Sequence, residues 1–402
     1  MTTIEMTGQR PATARAVGAL AAMAAGAFCF VAMESLPVGL LPMIAAHYRV
    51  SLPDAGLLIT GYGLTVAVMT VPLAWVFRTV PRRLLLSVLL AVFVVATVAS
   101  ALAPTYGLLL GARVVVALSQ SVFWAVVGPA ATGLFSAEVR GRAAATVFGG
   151  SALAPMLGVP AGVWLGQQAG WQAAFYALAA LGLASFALVA ALMPPSPART
   201  GAAAVGLSPS APRYRTLTAM TVLLVGGLFV AFTFTTPFLT DVAGFSDAAV
   251  GPVLLLRGLT GLAGVIVCGA LVDRRPDLVM IGSTVLQASA QLGLAILASS
   301  PVAVILCTAL CGFAFGALGP ALTARVLEVA PRDVTMAAAT NSAAFNLGIA
   351  GGSLLGGLVL TLAGLRATAL VGGLVITAAL VLAVADPLLA AATRTRATRV
   401  TD

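Results

Sequence analysis

The chain has 402 residues, 60% of them hydrophobic and only 8% charged, with a mean hydropathy of +1.08. Soluble domains carry about 25% charged residues, so that class is excluded. The net charge of +9 does not indicate a nucleic-acid binder either, because all but two of the 21 basic residues, every one Arg, sit in loops and tails between apolar runs and form no patch with stacking aromatics. What remains is an all-α membrane protein in a lipid bilayer, since apolar stretches of about 20 residues, enough to cross a roughly 30 Å hydrocarbon layer, recur from end to end.

Punctuation by charge, Pro and Gly predicts twelve spans: 16–44, 54–77, 84–103, 106–135, 143–166, 172–193, 216–239, 249–272, 279–298, 302–329, 337–362 and 367–386. Residues 1–15 are read as an N-terminal tail before an uncleaved first helix, and 387–402 as a C-terminal tail. An even number of crossings puts both termini on one side. That side and its loops hold seventeen arginines, whereas the opposite loops hold only Arg49 and Arg366. Cytoplasmic loops collect Lys and Arg, so the termini are expected in the cytoplasm. The all-Arg, Ala-rich composition points to a GC-rich bacterial genome and hence to a bacterial cytoplasmic membrane.

The first span contains the stretch FCFVAMESLPVGLLP, residues 28–42, with a single carboxylate at Glu34. At 1.5 Å per residue, Glu34 lies ~15 Å from the outer end of the helix, and Phe30, Glu34 and Pro37 share its face. The loop after the second span carries Arg78, Arg82 and Arg83, which suit cytoplasmic anchoring. In the fourth span Arg113 sits ~10 Å from the outer end, and at 100° per residue Arg113, Gln120 and Trp124 fall within about 20° of one another. A cation, an amide and an indole on one stripe are a common lining for a mostly apolar ligand site. The fifth span is rich in Gly149, Gly150, Gly158 and Gly162, which permit another helix to approach, and in Pro155 and Pro160, which permit a bend. Residues 194–215, rich in Pro, Ser, Ala and Arg, read as a cytoplasmic linker between a bundle at 16–193 and another at 216–386.

The eighth span holds Arg257, ~12–15 Å deep. Glu34, Arg113 and Arg257 thus share one layer, and facing lipid separately they would cost together ~8–10 kcal/mol. They are therefore expected to turn inward around a shared polar cavity, with Phe30, Gln120, Trp124 and Asn346 in its lining. Cys29, Cys268, Cys307 and Cys311 lie in apolar runs far from the single His47, so no metal site and no cofactor are expected. Neither H-E-x-x-H nor G-x-S-x-G occurs, and an enzyme is not expected.

A shift of 195 residues lays AGLLITGYGLT (55–65) over VGPVLLLRGLT (250–260), and a shift of 191 lays GPAAT (128–132) over GPALT (319–323). Two parallel six-helix repeats follow, an arrangement of transporters that bind substrate between the halves. The chain resembles the major facilitator superfamily, most closely its bacterial drug and sugar efflux branch of proton antiporters, which contains arabinose-type and chloramphenicol exporters. The resemblance rests on MESLPVGLLPMIAAHYRVSLPDAGLLITGYGL, on ARVVVALSQSVFWAV with Arg113 at the motif's Arg, and on GGSALAPMLGVPAGVWLGQQAGWQAAF, similar to the antiporter motif. It implies alternating access by two rocking halves, a monomer, and a cytoplasmic gate in the loop G-x-x-x-D-R-x-G-R-R/K. Here the first copy, AWVFRTVPRRLL, has Arg78 where the acid belongs, while the second, GALVDRRPD, keeps Asp273 and Arg274.

The expected function is proton-coupled efflux of a small amphiphilic molecule such as a chloramphenicol-like drug. Glu34 would carry the proton, because a dry site favours a neutral carboxyl whereas a nearby Arg or water favours its ion. A structural salt bridge from Glu34 to Arg113 or Arg257 is the plainer alternative. Export of a sugar, nucleoside or other metabolite, an uptake symporter and a non-transporting sensor are the other functional readings.

Overall fold

A computed structural model describes residues 9–136, 139–194, 209–272, 275–330 and 334–401. Among them twelve helices are long and apolar enough to cross a membrane, close to the predicted spans. The N-terminal half comprises α1 (Gln9–Tyr48), α2 (Leu52–Val76), α3 (Arg82–Ala101), α4 (Tyr106–Thr132), α5 (Arg140–Leu153), α6 (Val159–Ala169) and α7 (Trp171–Leu192). The C-terminal half comprises α8 (Ala211–Phe232), the single turn α9 (Thr235–Pro237), α10 (Asp247–Val272), α11 (Pro276–Ile296), α12 (Pro301–Glu328), α13 (Val334–Ala363) and α14 (Leu365–Thr401). Of the predicted linker, residues 195–208 lie outside the described set, and 211–215 already belong to α8. The expected tails are partly helical, since α1 begins at Gln9 and α14 runs to Thr401.

Local chemistry sets the helix ends. The Ser51 hydroxyl accepts from the Asp54 amide at 3.2 Å, Pro53 sits in the first turn of α2, and the Thr105 hydroxyl caps α4 through Leu108. Two tight turns between crossings rest on glycines in the left-handed region, Gly170 (φ 85°) and Gly364 (φ 82°), 194 residues apart and thus at nearly the repeat offset. The fifth crossing is broken as its prolines predict. Pro155 opens a π turn at Ala154–Gly158 that joins α5 to α6, and Pro160 falls in the first turn of α6. The seventh crossing differs from the expected continuous 216–239, because α8 stops at Phe232 and the chain continues through α9 into a second π turn, Phe238–Val242.

Each half repeats one packing scheme. In the N-terminal half the second crossing packs on the fourth, the third on the fourth and sixth, and the first on the fifth and sixth. In the C-terminal half the eighth packs on the tenth, the ninth on the tenth and twelfth, and the seventh on the eleventh and twelfth. Across the halves α2 meets α13, and α10 meets the π turn and α6, which are equivalent contacts under the repeat. Lipid tails give apolar faces no incentive to hide, so Val95, Val302 and Leu362 stay exposed while small residues set helix approach.

We call the end where the chain starts and stops the near end, and the other the far end. From the far end to the middle the halves are closed on each other. The Thr236 hydroxyl donates to the Val38 carbonyl at 3.0 Å, the Ser353 hydroxyl to the Gly56 carbonyl at 3.2 Å and the Gln167 amide to the Asp247 carbonyl at 2.7 Å. Val38, Leu41, Ile59, Leu228, Phe234 and Ile349 form an apolar cluster shared by both halves. At mid-depth α10 touches the π turn so tightly that a Cβ on Gly258 would lie 2.3 Å from the Met156 Cα. Two turns closer to the near end, on the same face as Met156, a Cβ on Gly149 would meet nothing within 4 Å. The fifth crossing and α10 therefore diverge toward the near end.

Candidate functional site

The buried polar centre of the N-terminal half is built by α1, α2 and α4. The Gln120 side-chain amide donates to Glu34 Oε2 at 2.8 Å, and the Tyr62 hydroxyl donates to Gln120 Oε1 at 2.7 Å. Gln120 is thereby fixed in one orientation, accepting from the phenol and donating to the carboxylate. Arg113, fully buried one helical repeat away, lies 5.0 Å over the Tyr62 ring. Its Nη1 donates to the Met33 carbonyl at 3.0 Å and its Nε to the Leu58 carbonyl at 3.3 Å, while Nη2 is buried without a hydrogen-bond partner.

Among the described residues no ion pair joins Glu34 to Arg113 or to Arg257, so the structural salt bridge is not what holds Glu34. Both N-half charges turn into the protein, and Glu34 keeps a partly exposed surface while Arg113 is sealed. Protonation of Glu34 at Oε1 would leave the bond from Gln120 to Oε2 intact, so the site tolerates either charge state with little rearrangement. Tyr62→Phe should remove one buried hydrogen bond and leave the Gln120 carbonyl unmet. The expected loss is about 1–3 kcal/mol in a denaturation measurement; unchanged stability would show that the Tyr62–Gln120 bond contributes nothing net.

The remaining predicted residues scatter. Phe30 was expected in the cavity lining, but it is fully buried between Phe93 and Phe123, with ring centroids 4.9 and 4.6 Å away, and is core. Trp124 is partly exposed and stacks on the exposed Phe148 of α5, centroids 6.0 Å apart and planes within 11°. Asn346 is buried where α13 meets Gly63 of α2, donating to the Ser342 carbonyl, with its own Oδ1 unpartnered. Arg257 lies in the other half, 4.5 Å over the Phe232 ring, and among the described residues no ion pair or hydrogen bond joins it to Glu34 or Arg113. The physical reason is register: Arg257 points into its own bundle and Gly258 toward the partner half.

Gly150, Gly158 and Gly162 do receive α1, where added Cβ atoms would lie 2.2 Å from the Ala24 carbonyl, 3.1 Å from Ala32 and Phe28, and 2.1 Å from Leu36. Gly149 receives no helix. Of the expected gate, Arg78 lies 4.7 Å over the Trp75 ring, Arg82 donates to the Pro129 carbonyl at 2.8 Å and Arg83 to the Ala190 carbonyl, all within the N-terminal half. Asp273 and Arg274 lie outside the described residues. Sequence reasoning missed an ion-pair group at the near end of the C-terminal half, where Arg325 bridges Asp277 at 2.7 Å and Glu328 at 2.8 Å. It also missed Tyr62, although the 195-residue offset pairs Tyr62 with Arg257 and so marks the position.

The sequence profile of the Major Facilitator Superfamily matches residues 23–279 and 257–398, nearly the whole chain. The chain belongs to the major facilitator superfamily. Its relatives include the "Uncharacterized MFS-type transporter YtbD" of Bacillus subtilis (strain 168), 33% identical over 377 residues, 91% of this chain and 94% of that one. Among solved structures the fold is similar to the human organic anion transporter MFSD10 (TM-score 0.69, 16% identity, 92% of this chain and 99% of that one). It is also similar to a bacterial homologue of the human lysosomal transporter Spinster in an inward-facing, unoccupied conformation (TM-score 0.73, 16% identity, 94% and 98%). As a superfamily member the chain is a multi-pass membrane transporter, not an enzyme.

Proposed function

We propose that this transporter exports a small amphiphilic molecule, of the chloramphenicol-like kind handled by the efflux branch it resembles, in exchange for protons across a bacterial cytoplasmic membrane. The observation that carries this is the Tyr62–Gln120–Glu34 chain, a single carboxyl held at mid-membrane depth by a neutral amide. A carboxyl bonded only to neutral donors can gain and lose a proton, whereas one locked to a cation is held ionised. The arginine asymmetry of the loops supports placing the near end in the cytoplasm, and the divergence of the fifth crossing from α10 then corresponds to an inward-open state. Substrate and proton, taken up alternately by a monomer as its halves rock, complete the cycle.

Export of an endogenous metabolite is the second reading, favoured by the amide and hydroxyl groups at Gln120 and Tyr62, which suit a hydroxylated ligand. Inverted vesicles carrying an imposed inside-acid gradient provide the test. Compounds from a panel of amphenicols, nucleosides and sugars are added, and dissipation of the gradient is followed with a pH-sensitive dye. Transporter-dependent proton release on adding a panel compound is expected, and the class that triggers it separates the two readings. Uptake of a compound that leaves the gradient untouched would overturn proton coupling.

A further inference from the structure

The C-terminal half contains a counterpart of the N-half site with inverted chemistry. The 195-residue offset lays Arg257 on Tyr62 and the 191-residue offset lays Cys311 on Gln120. The pairing persists in space: Tyr62 donates to Gln120 in one half, and Cys311 is a polar neighbour of Arg257 in the other. The N-half chain ends on a carboxylate. Among the described side chains the C-terminal half offers none at this depth, since Asp241, Asp247, Asp277 and Glu328 lie near helix ends.

Arg257 is partly exposed and, among the described residues, makes no ion pair; its guanidinium covers Phe232 and lies against the Cys311 thiol, with no carboxylate to neutralise it. Other arginines of the chain are engaged, Arg113 and Arg366 by carbonyls and Arg325 by carboxylates. A recess lined by Arg257, Thr235, Thr308, Phe238, Leu239 and Leu294 opens beside it. Neither threonine hydroxyl is engaged in a hydrogen bond among the described residues. The recess has room for a group of about 20 Å³, and a cation with two hydroxyls there matches a carboxylate head group, whose two oxygens accept from the guanidinium and from a hydroxyl while the rest of the molecule lies outside.

We propose that the recess at Arg257 is the subsite that receives a carboxylate group of the transported molecule. This rests on the transport reading above but moves its substrate from neutral amphiphiles to amphiphilic monoanions. The test uses the full-length protein in nanodiscs and isothermal titration with matched probes: 1-naphthoate and 4-phenylbutanoate, each against its primary amide. Each acid is expected to bind the wild type roughly tenfold or more tightly than its amide. Arg257→Gln should bring acid and amide to within about twofold and Arg257→Lys should restore part of the gap, because Lys keeps the charge without the fork. Should Arg257→Gln fail to fold, Thr308→Val replaces it and is expected to narrow the preference severalfold. Absence of acid binding, equal binding of acids and amides by the wild type, or full preference retained in the variant that folds overturns the proposal. Glu34→Gln should keep the acid preference. A wild type that shows the acid preference but no proton coupling would remove the antiport reading and leave the anion site; coupled wild-type flux without the preference would do the reverse.

Discussion

Glu34→Gln is expected to abolish proton-driven efflux while leaving substrate binding and passive exchange in place. The substitution is isosteric, and the new carbonyl can still accept from Gln120 Nε2, so the chain from Tyr62 through Gln120 survives and only the titratable oxygen is lost. No ion pair within contact distance is broken by the change, although the buried Arg113 loses the charge that balances it at longer range. In inverted vesicles the variant should show no gradient-driven accumulation yet retain counterflow of substrate down its own gradient. Accumulation at the wild-type rate would remove Glu34 from the coupling step.

Gly258→Ala should have the second large effect, on conformation. Its Cβ would lie 2.3 Å from the Met156 Cα and 3.0 Å from the Met156 Cβ, a clash with backbone that no rotamer relieves. Overpacking of this kind costs about 1–3 kcal/mol, and it falls on the state in which the far end is closed. A shift of ~1.4 kcal/mol changes the ratio of the two conformations tenfold. Spin labels at Gln167 and Asp247, which are in hydrogen-bond contact when the far end is closed, should report a population at longer distance. Transport should fall in parallel. Gly149→Ala is the matched control, since it meets empty space and gains up to about 1 kcal/mol of helix propensity. Equal behaviour of the two alanine variants would show that the α10 contact does not limit the cycle.

Much of this was legible in the sequence because membrane insertion imposes its rules locally. Twenty apolar residues and a charge or turn suffice to place a span, and the prolines of the fifth crossing announced its break at Ala154–Gly158. The stripe through Arg113 and Gln120 was visible as a helical period, and both residues do converge on α2. What could not be read is contact between helices. Phe30 shares the helical face of Glu34, but whether that face meets a cavity or the rings of Phe93 and Phe123 depends on rotations that no single-helix period encodes. The partners of Arg113 are backbone carbonyls, which every residue possesses, so no sequence feature points to them. Tyr62 reads as an aromatic in an apolar run until the repeat sets it opposite Arg257. The Arg325–Asp277 bridge joins residues 48 positions apart, and nothing local marks the pair.

The tethering of Arg113 to main-chain oxygens gives the N-terminal half a fixed positive charge whose partner is intermittent. With Glu34 ionised that half is electrically balanced at its centre, and with Glu34 neutralised it carries a net charge through each reorientation. A unit charge crossing the full membrane potential is worth ~2.3 kcal/mol per 100 mV, so under the proposed proton exchange the two charge states of this half would feel the membrane potential differently.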